Sequence, residues 1–388
     1  MRALHLFDYY LPTTLNWVSY LLRHLPDVRV EIGAPWIIRG EFWAPSFREY
    51  RYPFQLPGLF DARTELDYTW VRRLFTRSQR FLPTYAHWLS GRIHSSPPDV
   101  LHAHFGPVGC RYLPVALRLR RPLVVTFYGF DYESILNRRP ELRRQYQQLF
   151  RQAACIVVAS PFGAAQLKKW GCPSDKIAFI APAPDLSFFA FRGKQKPSGR
   201  LRLVQVATFT PKKGHLTTLE AVRLARPHCP GLHLTLAGER HNVELCREIA
   251  HYLRQHRLEG CVSWLPAVPH GQMPAFLADF DAVIHPSRYA ADGDHEASPL
   301  ALLEAQAMGL PVLATRHADF PLLVRDGQTG VLVEEGDAAA LAEVICRFYN
   351  MAPAEYEGFS RRARAHVEQH FDVRRSAENL RALYASLV

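Results

Sequence analysis

Short apolar runs alternate with longer amphipathic stretches from one end of the chain to the other. Runs at 3–7, 28–32, 100–103, 123–127, 156–159 and 177–180 read as strands in the first half. Runs at 201–207, 233–237, 262–265, 282–285, 312–315 and 331–333 form a fresh series in the second. The stretches between them carry apolar residues at helical spacing, so the pattern predicts parallel sheets covered by helices, an α/β chain. Local punctuation agrees with it. Ser160-Pro161 reads as a cap followed by proline at the first helical position, and Gly171 as the stop. The polar stretch FRGKQKPSGR (191–200) interrupts the alternation and reads as a linker between two domains. Residues 39–63 lack periodicity and are expected to form an irregular excursion, while helices after Asp337 and Pro353 close the chain. There is no internal repeat and no low-complexity segment.

The most informative local pattern is EASPLALLE, bracketed by Glu296 and Glu304. The run at 282–285 is a buried strand, 286–295 a polar loop and 300–308 an apolar helix, with Pro299 suited to the first helical position. The helix start therefore faces a loop at the carboxyl end of a strand, with free backbone N–H groups and a positive dipole end, which suits a diphosphate. Carboxylates on either side of that start could grip hydroxyls on both sides of one phosphate group. A sugar on one side and a ribose on the other make a nucleotide-sugar. ATFTPKKGH (207–215) repeats the strand–loop–helix arrangement, with Gly214 for the tight turn and the cations Lys212 and Lys213 at the helix start.

Composition narrows the class further. A chain of 388 residues with 48% hydrophobic and 21% charged residues suits two globular domains. No apolar run is long enough to span a membrane. MRALHLFDYYLP reads as a first strand rather than a signal peptide, so a cytoplasmic location is expected. The seven cysteines are dispersed without a C-x-x-C pair and read as buried thiols. No G-x-G-x-x-G follows any predicted strand, which argues against a dinucleotide-dependent dehydrogenase.

Charge is unevenly spread. Residues 1–195 carry 26 Lys and Arg against 14 Asp and Glu, whereas residues 196–388 carry 21 against 22. Much of the excess lies among aromatic residues, in RGEFWAPSFREYRYPF (39–54) and WVRRLFTRSQRFL (70–82). Trp36, Phe42, Trp43 and Phe47 with Arg48, Arg51, Arg72 and Arg73 suit an anionic membrane surface, peripheral on the cytoplasmic face. No nucleic-acid motif accompanies the charge, and no nucleic-acid partner is expected.

The stretch 201–333 resembles the C-terminal half of retaining GT-B glycosyltransferases of the family 4 type, the glycosyl transferases group 1. DGDHEASPLALLEAQAMGLPVLAT is most similar to bacterial exopolysaccharide transferases of the colanic acid and amylovoran type. The N-terminal half resembles them through DVLHAHFGPVG, VVTFYGFD and IVVASPFGAAQLKKWGCPSDKIAFIAPAPDLSFF. The resemblance implies two Rossmann-like parallel-sheet domains facing across a cleft. Residues 1–190 would form the acceptor domain, joined by a last helix at 374–388, and 201–373 the donor domain. Lys213 would stabilise the departing nucleoside diphosphate, Glu296 would hold sugar hydroxyls and Glu304 the ribose. Lys212 and the N–H groups of Ala297, Ser298 and Leu300 would bind the phosphates. No cofactor and no metal are implied. The partners would be a nucleotide-sugar donor and a glycan or polyprenyl-linked acceptor.

Departures from the family pattern fall near those residues. Ala207 and Thr208 stand where the family has Gly-Arg, so one phosphate-binding cation is missing. Tyr128 stands in place of a sugar-contacting His. Thr13 and Thr14 replace a Gly-Gly pair, with hydroxyls that could reach the donor. Asp131 reads either as an acceptor-orienting carboxylate, in a catalytic role, or as a helix cap. His104 lines the site in this reading; His102 lies on the same side of the strand, but no third ligand of matching character stands out for a metal. Asp292 and Asp294 read as loop-shaping. Other classes stay open beside a retaining transferase of cell-surface polysaccharide biosynthesis: a catalytically weak nucleotide-sugar-binding partner subunit, and an epimerase of the same fold.

Overall fold

Two sheets and two compact units account for the alternating pattern. The computed structural model describes residues 1–10, 16–37, 47–51, 82–132, 134–193, 196, 198–240, 242–291 and 293–388. One unit comprises Met1–Pro182 with Val373–Val388, the other Ala183–Asp372. The boundary falls ahead of the polar stretch at 191–200, because Phe189 is already buried in the core of the second unit.

In the first unit the strands are β1 (Arg2–Leu6), β2 (Tyr9–Tyr10), β3 (Arg29–Gly33), β4 (Trp36–Ile37), β5 (Arg48–Tyr50), β6 (Val100–His104), β7 (Leu123–Thr126), β8 (Cys155–Val158) and β9 (Ile177–Phe179). Among the described residues, seven of them form one parallel sheet in the order β5-β3-β1-β6-β7-β8-β9, and β2 pairs with β4. The helix Pro161–Lys169 starts as its sequence predicts. Ser160 Oγ accepts from the Gly163 N–H at 3.3 Å, and Pro161 supplies the first turn without wasting a donor. The helix Val373–Ala385 returns to this unit, where Ser376 Oγ donates to Ala181 O at 2.9 Å and Tyr384 is fully buried.

The second unit contains β10 (Leu201–Val206), β11 (Leu232–Ala237), β12 (Val262–Leu265), β13 (Ala282–His285), β14 (Val312–Thr315) and β15 (Gly330–Val333), in the order β12-β11-β10-β13-β14-β15. Leu203, Leu234, Ile284 and Leu313 are fully buried in its core. Each such side chain contributes about 1.5–3 kcal/mol relative to an exposed one. The helix Leu300–Ala307 is apolar all round except for Glu304 and Gln306, and it is buried accordingly.

Both sheets reverse their strand order once. The reversal falls between β1 and β6 in the first and between β10 and β13 in the second. Loops at the carboxyl ends of strands diverge at such a point and leave a crevice, the usual ligand position in open α/β sheets.

Candidate functional site

Lys213 leaves the carboxyl end of β10, and Glu296 lies on the loop after β13, so the two flank the order reversal of the second sheet. Lys213 ends a short 3-10 turn, Pro211–Lys213, and Gly214 follows in the left-handed region at φ 66°. A Cβ at Gly214 would sit 1.9 Å from the Pro286 carbonyl oxygen, so only glycine lets the two loops approach. The Lys213 carbonyl accepts from Gln205 Nε2 at 2.7 Å, and Gln205 Oε1 accepts from Thr218 Oγ1 at 2.7 Å. A buried amide on β10 thus sets where the lysine begins.

The Lys213 ammonium forms a mostly buried ion pair with the Glu296 carboxylate. Burial lowers the lysine pKa, with Glu296 opposing the shift. Burial alone would raise the Glu296 carboxyl, but Lys213, Lys212 and His285 outweigh it and hold that carboxyl at about 2. Two further buried histidines lie close by. His215 and His285 are each pushed down to about 3, chiefly by burial, and have no hydrogen-bond partner among the described residues.

Lys212, the other cation of this turn, is also paired. Its Nζ is 3.1 Å from Asp294 Oδ1 and 3.2 Å from the His295 carbonyl oxygen, which ties it to the loop ahead of Glu296. Asp294 has the loop-shaping place expected of it, while Asp292 lies outside the described residues.

Around the second helix the expectation needs a one-residue correction. Pro299 is the cap, with φ −68° and ψ 118°, and the helix begins at Leu300. An extended ψ cannot belong to the first helical turn. The Leu302 N–H already bonds the Pro299 carbonyl at 3.2 Å, so Leu300 and Ala301 offer the first-turn donors, while Ala297 and Ser298 belong to the loop. Ser298 Oγ donates to Asp319 Oδ2 at 2.6 Å. Glu304 lies inside the helix, 6% exposed, with Oε1 3.1 Å from His270 Nε2.

The first unit has a polar cluster at its own order reversal. His5 pairs in register with His102 across β1 and β6, and His104 follows on the same face. A continuous chain of contacts runs from Thr126 Oγ1 to His102 Nε2 (2.6 Å), from His102 Nδ1 to the Tyr384 hydroxyl, and on to His5 Nε2 (3.3 Å). It continues from His5 Nδ1 to His104 Nε2 (3.1 Å) and from His104 Nδ1 to the Tyr128 hydroxyl (2.7 Å). Burial holds all three imidazoles neutral, with His102 pushed down to about 3 and His5 and His104 well below their ordinary value. Each neutral ring has one donor and one acceptor, so the chain can be polarised from end to end with no nitrogen stranded.

His5 is the third histidine that the spacing of His102 and His104 could not reveal, and one nitrogen from each of the three lies within 4.8 Å of the others. Yet the His102 and His104 rings stack at 15° with centroids 4.6 Å apart. An imidazole lone pair lies in the ring plane, and two stacked planes share no point at the ~2.0–2.1 Å of a zinc–nitrogen bond. The geometry is that of a hydrogen-bonded chain.

Other expected residues of the first unit are placed differently from their sequence reading. His104 is buried and stacked on Phe7 at 4.2 Å, so it supports Tyr128 from behind. Asp131 is fully buried inside the short helix Gly129–Tyr132 and is not its cap. Its Oδ2 accepts from the N–H groups of Gly106 (3.3 Å) and Tyr128 (3.2 Å), and burial pushes its carboxyl up to about 8. Oδ2 thus holds backbone, while Oδ1 is buried with no hydrogen-bond partner among the described residues.

Thr13, Thr14, Phe42, Trp43, Arg72 and Arg73 lie outside the described residues. Of the remaining basic and aromatic positions, Arg51 pairs with Glu49, Arg48 lies 5.1 Å over the Tyr50 ring, and Trp36 stacks on Tyr9. Among the described residues no helix is long and apolar enough to cross a membrane.

Comparison with known proteins accords with this geometry. Residues 188–366 match the family described as glycosyl transferases group 1, and residues 46–188 match glycosyltransferase family 4. WcaL of Escherichia coli K12, a glycosyltransferase named for colanic acid biosynthesis, is 34% identical over 281 residues, covering 71% of this chain and 67% of WcaL. AmsK of Erwinia amylovora, named for amylovoran biosynthesis, is 31% identical over 297 residues, covering 74% of this chain and 70% of AmsK. The crystal structure of Anabaena HepE in complex with UDP superposes with a TM-score of 0.77 over 100% of both chains at 18% identity, which shows the shared GT-B fold. The chain belongs to the glycosyl transferases group 1, with the two parallel-sheet units of the GT-B architecture.

Proposed function

We propose that the chain is a retaining glycosyltransferase of cell-surface polysaccharide biosynthesis. It would move a sugar from a nucleotide-sugar to a glycan or polyprenyl-linked acceptor. The observation that carries this reading is the Lys213–Glu296 pair at the order reversal of the second sheet, beside the start of the helix Leu300–Ala307. The names of WcaL and AmsK support the exopolysaccharide assignment, and UDP bound to HepE supports a nucleoside diphosphate as the leaving group.

In the ligand-free pair the Lys213 ammonium is neutralised by Glu296. A donor diphosphate arriving at the helix start draws that ammonium to itself, and negative charge grows there as the glycosidic bond breaks. A fixed ammonium then stabilises the transition state more than the ground state. Glu296, released from its partner, accepts hydrogen bonds from sugar hydroxyls. The leaving phosphate oxygen takes the proton of the acceptor hydroxyl, which attacks from the same face, and the protein supplies position and charge. Positive charge at this site comes from Lys213 and the backbone N–H groups of Leu300 and Ala301, so no metal is called for. Glu304 holds the ribose in exchange for its contact with His270.

A panel of nucleotide-sugars that includes UDP-glucose tests this reading by thermal stabilisation, followed by nucleoside diphosphate release with and without lipid-linked acceptor. Glu296→Ala should abolish release. Glu304→Ala should weaken nucleotide binding by about 1–3 kcal/mol. Ordinary kinetics in both variants would overturn the assignment. The basic excess of the first unit supports an anionic membrane surface as the place where acceptor is met. Flotation with anionic vesicles should show salt-sensitive binding, and no binding at low salt would favour a soluble acceptor.

A further inference from the structure

Glu296 is held from behind as well as from the front. Three adjacent strands, β13, β14 and β15, end beside one another, and the loop after each contributes one residue: Glu296, His317 and Glu335. His317 is fully buried, and both its ring nitrogens are engaged. Its Nε2 is 3.2 Å from the backbone nitrogen of Glu296, and its Nδ1 is 2.6 Å from Glu335 Oε1. A backbone N–H can only donate, so Nε2 must be the unprotonated acceptor. The ring proton therefore sits on Nδ1 and is donated to the carboxylate. Glu335 thereby selects the one neutral tautomer that can hold the Glu296 backbone.

The same carboxylate reaches the other end of the loop. Glu335 Oε2 accepts from the Tyr289 N–H at 3.2 Å, and the Tyr289 ring packs edge-on against His317 with centroids 4.9 Å apart. Lys212 and Asp319 hold the loop between and beyond these points, through Asp294 and Ser298. The contacts from Glu335 and His317 go to backbone groups, so they fix where the Glu296 carboxylate is presented without consuming any of its oxygens.

We propose that Glu335 and His317 form a positioning relay that fixes the loop carrying Glu296, so that its carboxylate meets Lys213 and the donor sugar in one geometry. The relay rests on the assignment of Glu296 to the donor site. Misplacing a reacting group by about 1 Å costs on the order of 10²-fold in rate. Loss of the relay should therefore appear in kcat, with donor KM little changed, because the phosphate-binding N–H groups at the helix start stay in place.

Two measurements test it. Hydrogen–deuterium exchange of the segment 289–298 needs no substrate. Glu335→Ala and His317→Leu should speed its exchange about tenfold or more, with the rest of the second unit unchanged. His317→Gln, which keeps an acceptor and a donor, should restore most of the protection. With UDP-glucose as the donor probe, Glu335→Ala should lower kcat by about 10–100-fold with KM within about twofold. Unchanged exchange in Glu335→Ala overturns the relay whatever the donor proves to be. Faster exchange with unaltered kcat also overturns it, as does equal loss of protection throughout the unit in His317→Gln. Glu296→Gln serves as the control: full activity in that variant removes the donor-site assignment, while the exchange result still decides whether the tether exists.

Discussion

At the order reversal of the first sheet, between β1 and β6, the buried polar groups are satisfied without a charge. At the same place in the second sheet, between β10 and β13, an ammonium faces a carboxylate. The neutral chain from Thr126 to Tyr128 uses every imidazole nitrogen internally, so only its Tyr128 end has anything left to offer a ligand. The charged pair differs in kind. An ammonium has donors to spare and a carboxylate has lone pairs to spare, and a buried ion pair is a weak source of stability because desolvation offsets its attraction. Substitutions at the first position should therefore show up in folding, and substitutions at the second in turnover.

Acid gives the largest effect and acts on both regions, because the pKa values of His215 and His285 beside Lys213 are depressed as well, so local exchange is needed to tell the regions apart. His5, His102 and His104 have folded pKa values depressed below that of the unfolded chain, so the unfolded state binds the extra protons. Their contribution is complete above pH 6.5 and is lost as pH falls towards the folded values, by about 1.4 kcal/mol per pH unit for each histidine. Urea midpoints between pH 7.5 and 5.5 should drop steeply, with exchange in β1 and β6 rising first. A flat profile would show that the chain is not neutral.

Next in size is Lys213→Ala, which should lower kcat by about 10²-fold or more; because it leaves the buried Glu296 carboxylate without its partner, its melting temperature is compared with that of Lys213→Ala/Glu296→Gln, which removes both charges and should melt close to the parent. A large loss of stability with normal turnover would invert the comparison. Tyr384→Phe should do the reverse. It leaves His102 Nδ1 and His5 Nε2 without their shared hydroxyl, costing about 1–3 kcal/mol by urea denaturation with turnover per folded molecule nearly unchanged. The smallest effect is expected at Ser298. Its hydroxyl serves Asp319, so Ser298→Ala should cost about 0.5–1.5 kcal/mol of stability, measured the same way, and change donor KM by less than about twofold.

What the sequence showed and what it hid divide along the same line. Strand positions, the Lys213-Gly214 turn and the pairing of Glu296 with a helix start are local patterns, and they could be read directly. Pro299 was placed one residue too far inside its helix, because proline suits both the cap and the first turn and only ψ separates them. The partners of His102 and His104 were illegible for a different reason. His5 lies 99 residues from His104 and meets it only through the register of β1 on β6, and Tyr384 lies 379 residues from His5. His317 and Glu335 become neighbours of Glu296 only when strand order sets β13, β14 and β15 side by side. Asp131 read as a carboxylate or a cap, and its burial under Gly106 and Tyr128 is a packing fact that no local pattern carries.

Tyr384 also sets an order of events during synthesis. The residues of the second unit, Ala183–Asp372, have all been made before the helix that carries Tyr384 exists. At roughly 5–20 residues per second, His5 and His102 wait on the order of ten seconds or more beyond the completion of β9 for the hydroxyl they share. The unit that starts first is thus the last to close. A nascent chain halted before Val373 would hold every residue of the second unit and still lack the helix that supplies Tyr384 to the first.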